Sequence, residues 1–438
     1  MLFCNMNKKR LLSYFLLTGF FIASTHIISF AQQDNMAQIH TDFAKQERRD
    51  RFDRYLQETT IGEIFSSELN EDSEEDFESS CLSATQFLIR NDYVKSGLNK
   101  MFAGYNTLSF SAKRAMLAAI YSLYPTEYKA AVNAIFNIET NPKLFAIAAA
   151  YLYRIQPEYA LQRKITQYAN KIPGVDSLPV LTELRKYISS YNTQKNRNAP
   201  NIIDLFVWQK DHHVKTVYSF QRWDRDYAGL AVVQLEDGSF ARGEDGKLLT
   251  FRQLARAATN LPYFLTNGNT PQGIFSINGT DVSRNLLIGP TPNIQTILPF
   301  ERDYSFWFMG YDSLKTPFDN YIQLLPPVWR NYIPATETFY AGKCGRSEII
   351  MHGTTIESKY FKKEHFFPLA PTDGCLCANE TWNPANGYLI QSDQLGLANT
   401  FNRTPERRGL LFVVNISNEQ RPVTVDDIEP YIAAFENM

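Results

Sequence analysis

The sequence is short of several things, and each shortage removes a class of protein. It carries five cysteines in 438 residues, too few for a scaffold built on disulfides. It has no surplus of either charge: 44 Lys and Arg stand against 46 Asp and Glu, a formal net charge of −2. A dedicated nucleic-acid binder needs a basic excess to displace counterions, so no nucleic-acid partner is expected. There is no Gly-x-x-x-x-Gly-Lys phosphate loop, no paired-histidine zinc helix and no Gly-x-Ser-x-Gly elbow. Those absences set aside three common hydrolytic chemistries in their usual forms. His212 and His213 are adjacent, and neighbours in a strand face opposite sides, a poor arrangement for one metal. No metal and no cofactor is expected.

What is present describes a globular protein. The chain is 44% hydrophobic and 21% charged, with length enough for two or three domains. Aromatic residues make up 14%, which reads first as core packing.

The N-terminus speaks of location. Lys8, Lys9 and Arg10 precede an apolar run from Leu11 to Ile22, and Ser29, Phe30 and Ala31 form a small-x-small site before Gln32. Residues 1–31 therefore read as a secretory signal peptide. The alternative is an uncleaved anchor, since Leu11 to Ala31 nearly spans a bilayer, although Ser24, Thr25 and His26 interrupt it. Cleavage removes Cys4 and leaves Cys81, Cys344, Cys375 and Cys377. A periplasmic or secreted protein with no membrane span after cleavage is expected.

Residues 32–80 are polar, with seven acidic and no basic residues between Glu68 and Glu78. Such a run reads as a solvated, mobile spacer rather than a metal site. From 81 to 195 the apolar spacing is helical, as in Ala115, Leu117, Ala118, Ile120 and Tyr121. Ala118-Ala119-Ile120-Tyr121 before Pro125 resembles Ala148-Ala149-Ala150-Tyr151 before Pro157. Stacked helix pairs and a compact bundle explain that repeat equally well. A polar connector, Tyr191 to Asn201, marks a boundary. Beyond it, residues 202–438 are β-rich: Val214 to Phe220, Leu230 to Leu235, Gly273 to Ile277 and Leu410 to Ile416 read as strands. Asp237-Gly238 and Asp245-Gly246 read as hairpin turns, and Arg252 to Asn260 as a short helix. The fold class is thus α+β, an all-helical N-terminal domain followed by a β-rich one.

The chemistry-bearing residues lie in the second half. Ile349, Ile350 and Met351 lead to His352, Gly353 and Thr354; further on come Thr372, Asp373, Gly374, Cys375 and Leu376. A thiol needs a nearby base to become a nucleophile at neutral pH, and imidazole is the usual one. Glycine before the thiol lets the backbone turn tightly and aim N–H groups at a developing oxyanion.

Three pieces in order resemble the L,D-transpeptidases with a YkuD-type catalytic domain. Thr270-Pro271-Gln272-Gly273-Ile274-Phe275 is similar to that family's strand entry, Ile350 to Thr354 to its strand ending in His-Gly-Thr, and Thr372 to Leu376 to its nucleophile loop. The resemblance covers roughly residues 205–416 and leaves the helical half, and any protein partner of it, unaddressed. It implies cysteine-dependent acyl transfer on peptidoglycan stem peptides in the bacterial envelope, without metal or organic cofactor. Cys375 would be the nucleophile and His352 its base; Gly374 and Cys375 N–H groups would form the oxyanion hole, with Thr372 steadying the loop and Gly353 following the base. A water-using L,D-carboxypeptidase or endopeptidase, and a silent peptidoglycan-binding scaffold, are the alternatives.

The chain departs from the family pattern in three places. Asp373 stands where histidine is usual, and a carboxylate there disfavours a thiolate unless it orients His352. Cys377 stands where Arg or Asn is preferred. The segment between His352 and Cys375 is long and holds Phe361, Phe366 and Phe367, with Lys359, Lys362 and Lys363; it reads either as a cover that draws in stem carboxylates or as a surface loop. Cys344 and Cys377 are expected to be neighbours, with a bridge between them left open.

Overall fold

The computed structural model describes residues 36–438 apart from 158, 173, 175–176, 195–198 and 304–311. The expected signal peptide, 1–31, lies outside the described residues. No helix among the described residues is long and apolar enough to cross a membrane.

The N-terminal region is helical, and it begins inside the segment expected to be a spacer. Helix α1 (Gln46–Arg54) runs on through a π-helical stretch (Tyr55–Glu63) to a last turn at Ile64–Ser66, and α2 spans Glu74–Gln86. The spacer reading is corrected by two observations. Leu56, Ile61, Phe65 and Phe77 are buried, so the segment supplies anchors to a core. The acidic run also has a structural use: Glu74, Glu75 and Asp76 form the first turn of α2, where carboxylates favour the positive end of the helix dipole. The wider turns of the π stretch leave Thr60 O to accept the buried Ser80 hydroxyl (2.6 Å).

Helices α3 (Asp92–Ala103), α4 (Phe110–Leu123), α5 (Lys129–Ile138), α6 (Pro142–Ile155), α7 (Tyr159–Ala169) and α8 (Pro179–Gln194) follow. Their starts obey ordinary capping rules. Asn91, Ser109 and Asn141 each accept backbone N–H groups at the N-cap of α3, α4 and α6. The repeated alanine-tyrosine stretches fall on α4 and α6, which pack together; Tyr121 and Tyr151 meet edge to face at 6.4 Å.

Past the connector the first element is a helix, α9 (Ile203–Asp211), and His212 and His213 follow its end rather than sitting in a strand. Eight strands then close a barrel in the order β1-β10-β4-β5-β6-β7-β3-β2. Their ranges are β1 Thr216–Arg222, β2 Gly229–Gln234, β3 Phe251–Leu254, β4 Gly273–Asp281, β5 Asn293–Ile297, β6 Met351–His352, β7 Leu376–Ala378 and β10 Gly409–Ser417. A separate hairpin pairs β8 (Glu380–Trp382) with β9 (Leu389–Ser392). The β1–β10 and β6–β7 pairs are parallel, and the other barrel pairs are antiparallel. The helix expected over Arg252–Asn260 is not formed; Phe251–Leu254 pairs with β2 and β7 instead. Helices α10 (Pro317–Ile322), α11 (Glu337–Lys343), α12 (Asp393–Phe401) and α13 (Val425–Glu436) pack around the barrel.

Strand alternation sorts side chains into two cores. Val217, Val233, Phe275, Met351, Leu376 and Leu411 share one face, while Tyr218, Phe220, Ile274 and Phe412 face the other, beneath α9 and α13. Around β3 and β7 the second face turns toward the helices: Leu254, Phe361, Leu369 and Cys377 belong to the same cluster as the helical core. The helical half therefore docks on the part of the barrel that carries the cysteine loop.

Candidate active site

Parallel pairing of β6 with β7 puts Met351 opposite Leu376 and His352 opposite Cys377. Met351 and Leu376 enter the apolar face, so His352 and Cys377 share the opposite one. Cys375 lies just before β7, at the end of the loop that Gly374 turns. Leu376 N–H donates to Ile350 O (3.0 Å), and Ile350 N–H donates to Cys375 Sγ (3.4 Å). The fold thus brings the Cys375 loop beside the segment that leads into β6, with Sγ on the backbone of Glu348 and Ile350 and His352 two residues further along.

His352 is 5% exposed, and its Nδ1 contacts Gly353 O at 2.5 Å. A carbonyl only accepts, so Nδ1 carries the proton and Nε2 has the lone pair. Burial lowers the imidazole's affinity for a second proton, with the Gly353 carbonyl opposing. Glu380, which the sequence reading missed, holds this corner: it accepts Thr354 N–H (2.8 Å) and the Ser392 hydroxyl (2.7 Å), and burial pushes its carboxyl up to about 7.

The Cys375 loop is tied from several sides. Gly374 has φ +117°, which glycine tolerates and other residues rarely do. Thr372 Oγ1 accepts Gly374 N–H (3.1 Å) and donates to Cys375 O (2.9 Å), while Thr270 Oγ1 donates to Gly374 O (2.8 Å). The two family-like segments around Thr270 and Cys375 are therefore in direct contact. The Gly374 N–H expected in the oxyanion hole is spent on Thr372. The Cys375 N–H has no partner among the described hydrogen bonds.

Arg346 is the other residue the sequence did not disclose. Its guanidinium is 5% exposed and donates to the carbonyls of Tyr263 (2.6 Å), Asn269 (2.7 Å) and Gly268 (2.8 Å). A Cβ on Gly374 would meet Arg346 Nη2 at 2.0 Å, so the second reason for glycine here is the cation lying against it. Burial lowers Arg346 to about 10, and the charges of Cys375 and Asp373 oppose that loss. Arg346 thus supplies positive charge beside the Cys375 thiol.

Asp373 is exposed and Cys375 partly so, yet both stand among closely packed protein atoms. That crowding raises the Asp373 carboxyl, with Arg114 of α4 and Arg346 pulling it back. The same burial pushes the Cys375 thiol up to about 12; Ile350 N–H and Arg346 oppose it, and Asp373 adds to it. At rest Sγ is a thiol that donates to Glu348 O (3.4 Å), and no hydrogen bond joins it to His352 among the described residues.

The other cysteines are free thiols. Cys344 and Cys377 touch the same apolar cluster but are not bridged. The long segment before Cys375 is built into the junction: Phe361 is buried in the shared core, Tyr360 donates to Asp53 (2.9 Å), and Lys359 pairs with Glu357 (2.9 Å) and Asp53 (3.6 Å). Lys362 and Lys363 remain exposed. Among the described residues no group of His, Cys, Asp and Glu is arranged to hold a metal.

Comparison with protein-family models, curated proteins and solved structures finds no match to this chain.

Proposed function

We propose that the chain is an L,D-transpeptidase-like acyltransferase that acts through Cys375 on peptidoglycan stem peptides in the bacterial envelope. The observation that supports the reading is the β6–β7 pairing, which sets the segment ending in an Nδ1-protonated His352 beside the loop that carries Cys375. Sγ attacks the stem carbonyl and passes its proton to His352 Nε2. The oxyanion faces the Cys375 N–H. The departing D-alanine amine takes the proton from His352, leaving a thioester that an amine from a second stem resolves. Thr372, Thr270 and Arg346 position the loop.

A second reading is favoured by one observation. The resting thiol donates to Glu348 O and is not bonded to His352, as in a silent wall-binding protein. Tetrapeptide-stem muropeptides separate the readings. Dimers cross-linked between two diaminopimelate-type residues are the expected product. Cys375→Ala and His352→Ala should each lower turnover at least a hundredfold, in line with losses of a nucleophile or its base. Cys377→Ala should keep most of it. Tripeptides alone would assign the water-using hydrolase; an unchanged substrate would assign the silent protein.

A further inference from the structure

A cavity of about 230 Å³ lies between the helical half and the barrel, on the other side of the loop that Arg346 threads. Tyr263, Asn269 and Thr270 line it, and the same three residues bond Arg346 or Gly374. Cys375 is not among its walls.

Charges of both signs line it. From the helices comes Arg154, its guanidinium 3.8 Å from the centre of the Tyr121 ring and its Nη2 donating to Tyr121 O (2.7 Å). Its Nε is buried and has no hydrogen-bond partner. A buried N–H without an acceptor is costly, and a stacked guanidinium with a spare edge suits a carboxylate. From the barrel come Asp224 and Glu337. Asp224 Oδ1 accepts the Asp226 N–H (3.0 Å), while Glu337 is engaged by Gln272 N and Nε2 (2.9 and 3.1 Å). The second guanidinium, Arg225, is committed to the carbonyls of Arg222 and Thr270 and to Asn415 Oδ1. Asp224 on the barrel wall disfavours a phosphate or a dianion, although Arg225 stands on the same wall and burial holds the Glu337 carboxyl up to about 7, and Arg154 disfavours a dication. A small molecule with one charge of each sign satisfies both walls.

We propose that this cavity binds a small α-amino acid as its zwitterion, the carboxylate on Arg154 and the ammonium on Asp224. The site does not depend on the reaction assigned to Cys375, and Cys375→Ala should leave it intact.

Isothermal titration of the full chain with glycine, L-alanine and D-alanine tests the proposal. At least one of them should bind saturably at one site. Alaninamide, which lacks the carboxylate, and N-acetylalanine, which lacks the ammonium, should bind at least tenfold more weakly. Arg154→Gln should weaken the free amino acid at least tenfold. Asp224→Asn should weaken it similarly while leaving N-acetylalanine unchanged, which keeps the test decisive if Arg154→Gln fails to fold. Absence of saturable heat with all three amino acids would overturn the proposal. So would capped forms binding equally well, or Asp224→Asn leaving alanine affinity unchanged.

Discussion

Cys375 is reached by water yet surrounded by protein, and its reactivity follows from that setting. With burial holding the thiol at about 12, its alkylation by iodoacetamide should rise about tenfold per pH unit between pH 7 and 10, because only the thiolate reacts. A rate that levels off by pH 8, read by peptide mass mapping of Cys375, would contradict this placement of the thiol. Glu337 gives a second pH signature. Burial holds its folded carboxyl at about 7 against an ordinary 4.5, opposed by Gln272 and Arg225. Between those values the folded chain keeps a proton that the unfolded chain has released. The stabilisation is thus complete below about pH 4.5 and is lost as pH rises through about 7. A shift of this size corresponds to about 3 kcal/mol. Urea midpoints should therefore fall over this window in the native chain and fall less in Glu337→Gln; parallel profiles would exclude the group. Neither Arg346 nor Glu380 was legible in the sequence. A single arginine in a charged loop and a glutamate on a short strand carry no spacing signal until the sheet brings them to the site.

The elements show how far periodicity reaches. The runs at β1, β2, β4 and β10 were readable because apolar residues occupy both faces of a barrel wall buried on each side. Strand β3 was not: Ala255, Ala257 and Ala258 with Arg252 and Arg256 favour a helix locally, but ladders to β2 and β7 override that preference. The acidic segment failed as a spacer because charge density hid two anchors. Phe77 is 0% exposed and its ring lies 5.5 Å from that of Phe65. Phe65 in turn lies where a Cβ on Gly97 would be, 1.9 Å from its ring, so α1 and α3 approach only because residue 97 is glycine. Phe77→Ala should cost about 3–5 kcal/mol in denaturant unfolding. A loss below about 1 kcal/mol would return the segment to the role of a spacer.

At the scale of the whole molecule, the helical half and the barrel share a core that runs beside the Cys375 loop. Ser122 donates to Ala258 O (2.5 Å), Gln86 to Pro371 O (2.9 Å), and Arg49 to Thr355 O (3.0 Å); Thr355 and Pro371 are near His352 and Cys375 in sequence, and Ala258 N–H donates to Thr372 O (2.7 Å). The helical half was read as a separate unit because contacts between distant segments leave no periodic trace. Its place beside the Cys375 loop brings charge from both halves to that loop, with Arg114 of α4 acting on Asp373. The central claim is that Cys375 becomes acylated. Intact-mass spectrometry of the full chain after brief exposure to a tetrapeptide-stem muropeptide tests it most directly. The account predicts an adduct equal to the muropeptide less D-alanine, located on Cys375, released by hydroxylamine and absent from Cys375→Ala. A chain whose mass stays unchanged while it still converts the muropeptide, or an adduct that persists in Cys375→Ala, would contradict it.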